Sequence, residues 1–323
     1  MRSRVGMFGL LLFLLVSACA AREHEQPLRL GTQLWPGTEP LFLARELGYL
    51  DEGSVRLVEY SSLSEANRDF RNGMIDAANV TLDMALLLQQ QGYEPRVVLV
   101  VDASNGADAI LARPGVRRLQ ELRGKRIAVE DLAVSTYLLS RALEQAGLQP
   151  SDVRIIRLPA DQHFRAYASG QVDAAVSYQP FAEQLLSAGA HELFNSSQIP
   201  GEIIDVVVVR AEVLDRHPEQ VRHLLQGWFQ ALGYLETHPE DAAARMSPRL
   251  DTSPTGFTAL LKGLRLYSRE ENLFLLRAPD SPLVAMALEL RRFLVEEGLM
   301  HETVGPERML DARPLESLRE GGP

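Results

Sequence analysis

Cysteine is almost absent from these 323 residues: Cys19 is the only one. With that single thiol close to the N-terminus, the chain has no disulfide framework, no thiolate metal site and no cysteine nucleophile in a folded core. Lysine is confined to Lys125 and Lys262, and a formal charge of -10 with no offsetting basic cluster argues against a nucleic-acid ligand. His24, His163, His191, His217, His223, His238 and His301 are scattered, and no two stand at a metal-ligand spacing in a predicted site loop. Neither a metal nor a cofactor is therefore expected. The apolar run 5–16 is too short to span a bilayer, and after the basic start Met1-Arg2-Ser3-Arg4 it reads as a secretory signal.

That run ends in Leu15-Val16-Ser17-Ala18-Cys19, small residues before a cysteine, which resembles the bacterial lipobox. The reading is a signal peptide over residues 1–18, lipid attached to Cys19 and a polar tether over 19–27. A stray unpaired thiol is unusual in an exported protein. The alternative is an ordinary signal-peptidase site at Val16-Ser17-Ala18 or Ala18-Cys19-Ala20. Without disulfides, stability must come from a large core, and the mature chain is long enough for two lobes.

Residues 55–89 and 153–186 read alike. Each runs strand, helix, glycine, strand, helix, and Gly73-Met74-Ile75-Asp76-Ala77-Ala78 matches Gly170-Gln171-Val172-Asp173-Ala174-Ala175. Glycine suits a left-handed helix end, and small buried residues after it suit a parallel strand. Asp76 and Asp173 read as structural turn residues. A further strand, loop and helix precedes each repeat, so two βαβαβ halves make two lobes with right-handed crossovers. Lobe one is expected at residues 28–112 and 204–323, with lobe two at 113–203. The apolar stretch 203–209 would be the strand crossing back, and the helical segments from Ala211 onward would cover lobe one.

In open α/β sheets ligands bind beyond the carboxyl ends of the strands. Five loops qualify: 32–40, 81–83, 102–108, 130–136 and 177–181. Trp35 and Tyr178 offer flat apolar faces with a polar tip. Trp35, in a Pro-Gly turn, has little packing reason to be there, whereas Tyr178 before Pro180 reads equally as the start of a helix. Thr81, Ser135 and Thr136 carry hydroxyls that suit either a ligand or a helix N-cap. Ser104 and Gly106 flank Asn105, where positive φ would turn backbone amides into the cleft. Carboxylates abound: Glu39, Asp83, Asp102, Asp108, Glu130 and Asp131 fall in the loops, and Asp205 lies near the return strand.

Four segments, taken in order and spacing, carry a family likeness: Gln33-Leu34-Trp35-Pro36-Gly37-Thr38, then Ser104-Asn105-Gly106-Ala107-Asp108, then 122–130 around Gly124-Lys125-Arg126, then 170–181 through Tyr178 and Phe181. Together they resemble the SsuA/THI5-like (NitT/TauT) solute-binding proteins, over residues 28–300. The resemblance implies the type II periplasmic binding protein fold, an α/β architecture of two βαβ-built lobes with a hinge and an interlobe cleft. It implies a monomer that closes on a small solute and docks on an ABC permease with its ATPase, in place at the membrane through the lipid anchor. By position, it puts ligand contacts on Trp35, Thr38, Thr81, Ser104, Ser135, Tyr178 and Asp205. One branch of that superfamily makes the thiamine pyrimidine with histidine and a cysteine-rich iron motif, and this chain lacks the cluster. A solute binder is expected, not an enzyme; a lipoprotein that senses the solute and signals to a membrane partner would need the same cleft.

Solute charge is read from the loops, since oxyanion sites commonly use Arg or Lys beside helix N-termini. None of the five loops holds either residue. Two cleft-facing carboxylates would repel an anion by a few kcal/mol at an effective dielectric near ~20. With Asp83, Asp108 and Asp205 added to the contacts, the sequence points to a nitrogen-containing solute, an aminopyrimidine or an amine, over nitrate, sulfonate or taurine.

Overall fold

The computed structural model describes residues 26–277, 279–301 and 305–318. The signal segment, Cys19 and most of the expected tether lie outside the described residues.

Along the chain, β1 (Leu28–Gln33) leads to α1 (Glu39–Glu46), β2 (Val55–Tyr60) to α2 (Leu63–Arg71), and β3 (Ala77–Thr81) to α3 (Leu82–Gln90). Next come β4 (Pro95–Ser104), β5 (Asp108–Ala112), β6 (Arg126–Val129), α4 (Ala133–Ala146), β7 (Arg154–Arg157), α5 (Ala160–Ala168), β8 (Ala174–Tyr178), α6 (Phe181–Ser187), β9 (His191–Asn195) and β10 (Ile204–Arg210). The remainder is α7 (Ala211–Arg216), α8 (Pro218–Thr237), α9 (Pro239–Met246), α10 (Pro254–Leu261), β11 (Leu264–Leu266), α11 (Arg269–Leu276), α12 (Pro282–Glu296) and α13 (Arg313–Glu316).

Two sheets result. The first has the order β11-β4-β10-β3-β1-β2 and the second β7-β6-β8-β5-β9. In each, the first strand of a βαβαβ half runs parallel between the other two: β1 between β2 and β3, and β6 between β7 and β8. The α/β fold of two βαβ-built halves expected from the repeat is thus present. β10 returns antiparallel between β3 and β4, and Val206, Val207, Val208 and Val209 are all fully buried, as a strand covered on both faces requires.

The boundary between the halves differs from expectation. The sequence pattern puts residues 108–112, which form β5, at the end of the first half. Instead β5 pairs antiparallel with β8 and β9 of the second sheet. The chain therefore leaves the first sheet between Ser104 and Asp108, and the crossing falls inside the 102–108 loop. Alternation alone says that a segment is a strand; it says nothing of which distant edge takes it up.

The repeat also has a repeated clamp. Asp76 accepts from the Arg29 backbone N–H at 2.9 Å and from its guanidinium at 2.8 Å, at Nε and again at Nη2. Asp173 does the same to Arg126, at 2.9 Å from the backbone N–H and 3.1 and 2.8 Å from the guanidinium. Each carboxylate ties the turn before the third strand to the start of the first, 47 residues back in both halves. The preceding Gly73 and Gly170 have φ of 73° and 78°, where a side chain would be strained.

The C-terminal helices complete the first half: α8 packs on α1 and α12 on α3, with Trp228 fully buried. From α12, Phe293 meets Tyr137 of α4 edge to face with centroids 4.7 Å apart, joining the two halves away from the strand ends. Among the described residues no helix is long and apolar enough to cross a membrane.

Candidate functional site

Trp35 follows β1 and precedes a single 3-10 turn, Pro36–Thr38. Its indole N–H donates to Asp102 Oδ2 at 2.9 Å, and a Cβ on Gly37 would lie 1.9 Å from that oxygen and 2.6 Å from the indole nitrogen. Glycine at 37 is thus what lets strand β4 present Asp102 to the ring. Thr38 donates its hydroxyl to the Trp35 carbonyl at 2.9 Å and is fully buried, so it shapes the turn. Trp35 packs with Ala107 and Leu264 and meets Tyr178 edge to face at 6.1 Å. It does have a packing role, contrary to the reading of its turn from sequence, because the crossing loop and β11 come up against it.

The floor of the cleft is set by register. Asp205 on β10 stands opposite Thr81 on β3 and opposite Asp102 on β4. The Asp102 and Asp205 carboxyls hydrogen-bond to each other, which requires a proton between them. Asp108 opens β5 opposite Tyr178, and its backbone N–H donates to Ser104 Oγ at 3.2 Å. Ser104 in turn shares a 2.7 Å hydrogen bond with Ser196, whose oxygen also accepts from the Gly106 N–H at 2.7 Å. The Tyr178 hydroxyl donates to Glu130 at 3.2 Å.

Burial raises every one of these acids. Asp102 is pushed up to about 7 by burial and by Asp108 against the pull of the Trp35 indole. Asp205 goes well above the carboxylate range by burial, then by Asp102, Asp108 and Asp83. Asp108 and Asp83 rise to about 6, again by burial first. Glu130 rises to about 7 by burial, opposed by the Tyr178 hydrogen bond. The cleft is acidic and, near neutral pH, holds protons.

Gln33, Trp35, Leu63, Thr81, Asp108, Leu132, Val134, Tyr178, Ile203 and Asp205 enclose a cavity of about 30 Å³. Five candidates read from sequence, Trp35, Thr81, Asp108, Tyr178 and Asp205, share this wall. Asp83 and Ser104 are buried behind it. Gly106 and Thr136 are turned to protein partners, Thr136 donating to the Leu132 carbonyl at 3.2 Å and accepting from Arg157 at 3.1 Å. Thr38 and Ser135 are buried outside the wall. Of the other loop acids, Glu39 is paired with Arg249 at 2.9 Å, while Asp131 is exposed and 3.9 Å from Arg157.

The lining residues missed from sequence are Leu63, which follows β2, and Ile203, which precedes β10, with Gln33 at the end of β1 and the apolar loop members Leu132 and Val134. Applying the strand-end rule to β2 as well would have found Leu63. With its carboxylates ionised, the cleft leaves acceptor oxygens of Asp83, Asp102 and Gln33 without a donor, as it does the Thr81 hydroxyl. A larger hollow of about 690 Å³ lies between α4 and α12, but there Arg141 is paired with Glu202 at 2.8 Å and Arg292 with Glu289, and the strand ends are elsewhere. Among the described residues no group of three His, Cys, Asp or Glu is placed to hold a metal.

The NMT1-like family profile matches residues 21–249 of the chain, well over half of it. The chain belongs to the NMT1-like family. A relative, the taurine-binding periplasmic protein of Escherichia coli K12, is 23% identical over 250 residues, covering 74% of this chain and 77% of that one. The alkanesulfonate-binding protein SsuA from Xanthomonas axonopodis pv. citri superposes with a TM-score of 0.72 at 20% identity, over 90% of this chain and 98% of its own. The desulfurization enzyme DSZB superposes with a TM-score of 0.68 at 18% identity, over 90% and 98%. The two-lobed fold of periplasmic binding proteins is thereby shared, as the sequence resemblance implied, and it carries both binders and an enzyme.

Proposed function

We propose that this family member is the solute-binding component of an ABC importer and that it captures a small nitrogen-containing solute, neutral or cationic, in the cleft between its halves. One observation carries the reading of charge: Asp108 and Asp205 stand in the cavity wall, Asp102 and Asp83 are buried nearby, and among the described residues no arginine or lysine lines the cavity. Placing an anion there would set it against the Asp108 and Asp83 carboxylates, which burial raises only to about 6, with no cation in the wall to offset them. A cation or a hydrogen-bond donor meets acceptors instead, with Trp35 and Tyr178 as its apolar walls. Taurine, named for one relative, carries an ammonium group as well as a sulfonate, so amine recognition is compatible with that relationship. Catalysis is not part of the proposal. The cavity wall holds no nucleophile paired with a base, and His163, a buried candidate base, hydrogen-bonds the Leu158 carbonyl at 3.0 Å within the second half.

A thermal-shift screen contrasting amines and aminopyrimidines with nitrate and alkanesulfonates tests the charge. Stabilisation by the nitrogenous set is expected; stabilisation by the anions alone would overturn the proposal. Export and lipidation at Cys19 belong to the same proposal and rest on the lipobox-like sequence. Mass spectrometry of the mature N-terminus should find a diacylated or triacylated Cys19, and an unmodified start at Ala20 or Ala21 would exclude the anchor.

A further inference from the structure

The N-terminus of α4 is the place in this cleft where physical chemistry would put an anion. It heads a 14-residue helix, its N-cap residue Leu132 supplies no side-chain cap, and Val134 in its first turn lines the cavity. The free N–H groups and the helix dipole there favour negative charge. A negative group already faces that spot. Asp83, in the first turn of α3 from the opposite half, has its carboxylate beside the Thr81 hydroxyl and turned to its own backbone N–H and those of Val134 and Met84. Two helix N-termini therefore converge on one side chain. Asp83 is only 4% exposed, and its Oδ2 has no further donor.

We infer that Asp83 is a built-in anion that fills the oxyanion position at the head of α4 and so makes the cleft select against any solute bearing a sulfonate, phosphate or carboxylate group. This rests on the reading of the cleft as a site for nitrogenous solutes and narrows it. The solute class becomes compact amines, amidines or aminopyrimidines without an acidic group, and zwitterions are rejected along with simple anions. Burial raises the acid only to about 6, so at pH 7.5 the carboxylate is charged and the position is taken. Asp108 and Asp205, which also face this spot, are both acids, and the cation at this end of α4, Arg157, is turned to the Glu130 carbonyl and the Thr136 hydroxyl, both at 3.1 Å.

The test measures binding of ethanesulfonate and of the matched pair ethanolamine and taurine, by calorimetry at pH 7.5, to the full-length protein and to Asp83→Asn and Asp83→Ser. Near-UV circular dichroism and unliganded melting confirm that each variant is folded. The wild type should ignore ethanesulfonate, whereas the variants should bind it at least tenfold more tightly, Asp83→Ser more than Asp83→Asn because serine vacates the position. Any preference of the wild type for ethanolamine over taurine should shrink at least tenfold in the variants. Equal responses of wild type and variants to ethanesulfonate, whether both bind or neither does, would overturn the inference. Wild type that binds taurine as well as ethanolamine, yet ignores ethanesulfonate and nitrate, would overturn it and leave the broader proposal standing. Wild type that binds only the plain anions would sink both.

Discussion

At Trp35 one ring does two jobs: it walls the cavity, and it supplies a hydrogen bond to Asp102, the acid that shares a proton with Asp205. Trp35→Phe keeps most of the wall and removes the donor. The loss should destabilise the fold by about 1–3 kcal/mol, the cost of leaving a buried acceptor short of a partner, measured as a shift in urea midpoint. The chain contains only two tryptophans, and Trp228, on α8, is fully buried in the first half. Any change in tryptophan emission on adding solute therefore reports Trp35, and it should disappear in Trp35→Phe. A persisting change would place the solute elsewhere. Gly37→Ala should mimic part of this defect, since its Cβ has to displace either the indole or the Asp102 carboxylate.

At the scale of elements, the two clamps explain why the same Gly-x-x-Asp-Ala-Ala pattern occurs twice. Asp76→Ala strips the Arg29 backbone N–H and guanidinium of their acceptor, so a loss of about 1–3 kcal/mol is expected by chemical denaturation, with solute affinity unchanged because the clamp lies at the amino ends of the strands. Arg126 holds the Asp173 carboxylate down at about 2, its hydrogen bond outweighing burial. Its contribution is therefore complete above the unfolded value near 4 and is lost as pH falls toward 2. The repeat, its two glycines and the structural role of the aspartates were legible in the sequence because all are local. Their arginine partners were equally visible, at one common offset, but an aspartate in a turn suggests a local cap and hides a distant clamp. β5 was misplaced for a related reason: its partners β8 and β9 lie far along the chain, and strand pattern carries no address. Of the site, the parts set by strand ends were readable, and five of the eleven named candidates line one cavity. Thr38, Gly106 and Thr136 were indistinguishable from ligand donors until their protein partners were known. The Asp102–Asp205 pair depends on the register of β10 against β4, which no single-chain pattern reveals.

For the whole molecule, the buried acids make stability a function of pH with a definite sign. Asp83 and Asp108 sit near 6, Asp102 and Glu130 near 7, and Asp205 higher still, each raised by burial above the unfolded value near 4. Between about 4 and 7 the folded chain therefore binds more protons than the unfolded one, and stability falls as pH rises through that window. Glu39, raised to about 7 by burial, acts in the same direction, whereas buried His163, held below its ordinary value by burial, works the other way over part of the range, one group against six. The unliganded protein should thus melt at a lower temperature at pH 8 than at pH 5.5. A cationic solute replaces the protons as partner of the carboxylates, so its stabilising effect should grow over the same interval, and its binding near pH 7 should release protons, detectable as a dependence of calorimetric enthalpy on buffer ionisation. In Asp205→Asn the proton release should diminish and affinity for the cation should drop at least tenfold. A solute whose effect instead weakens as pH rises would be exploiting the protonated acids as donors, and the acidic cleft would then have to be read as an anion site that works only when neutralised.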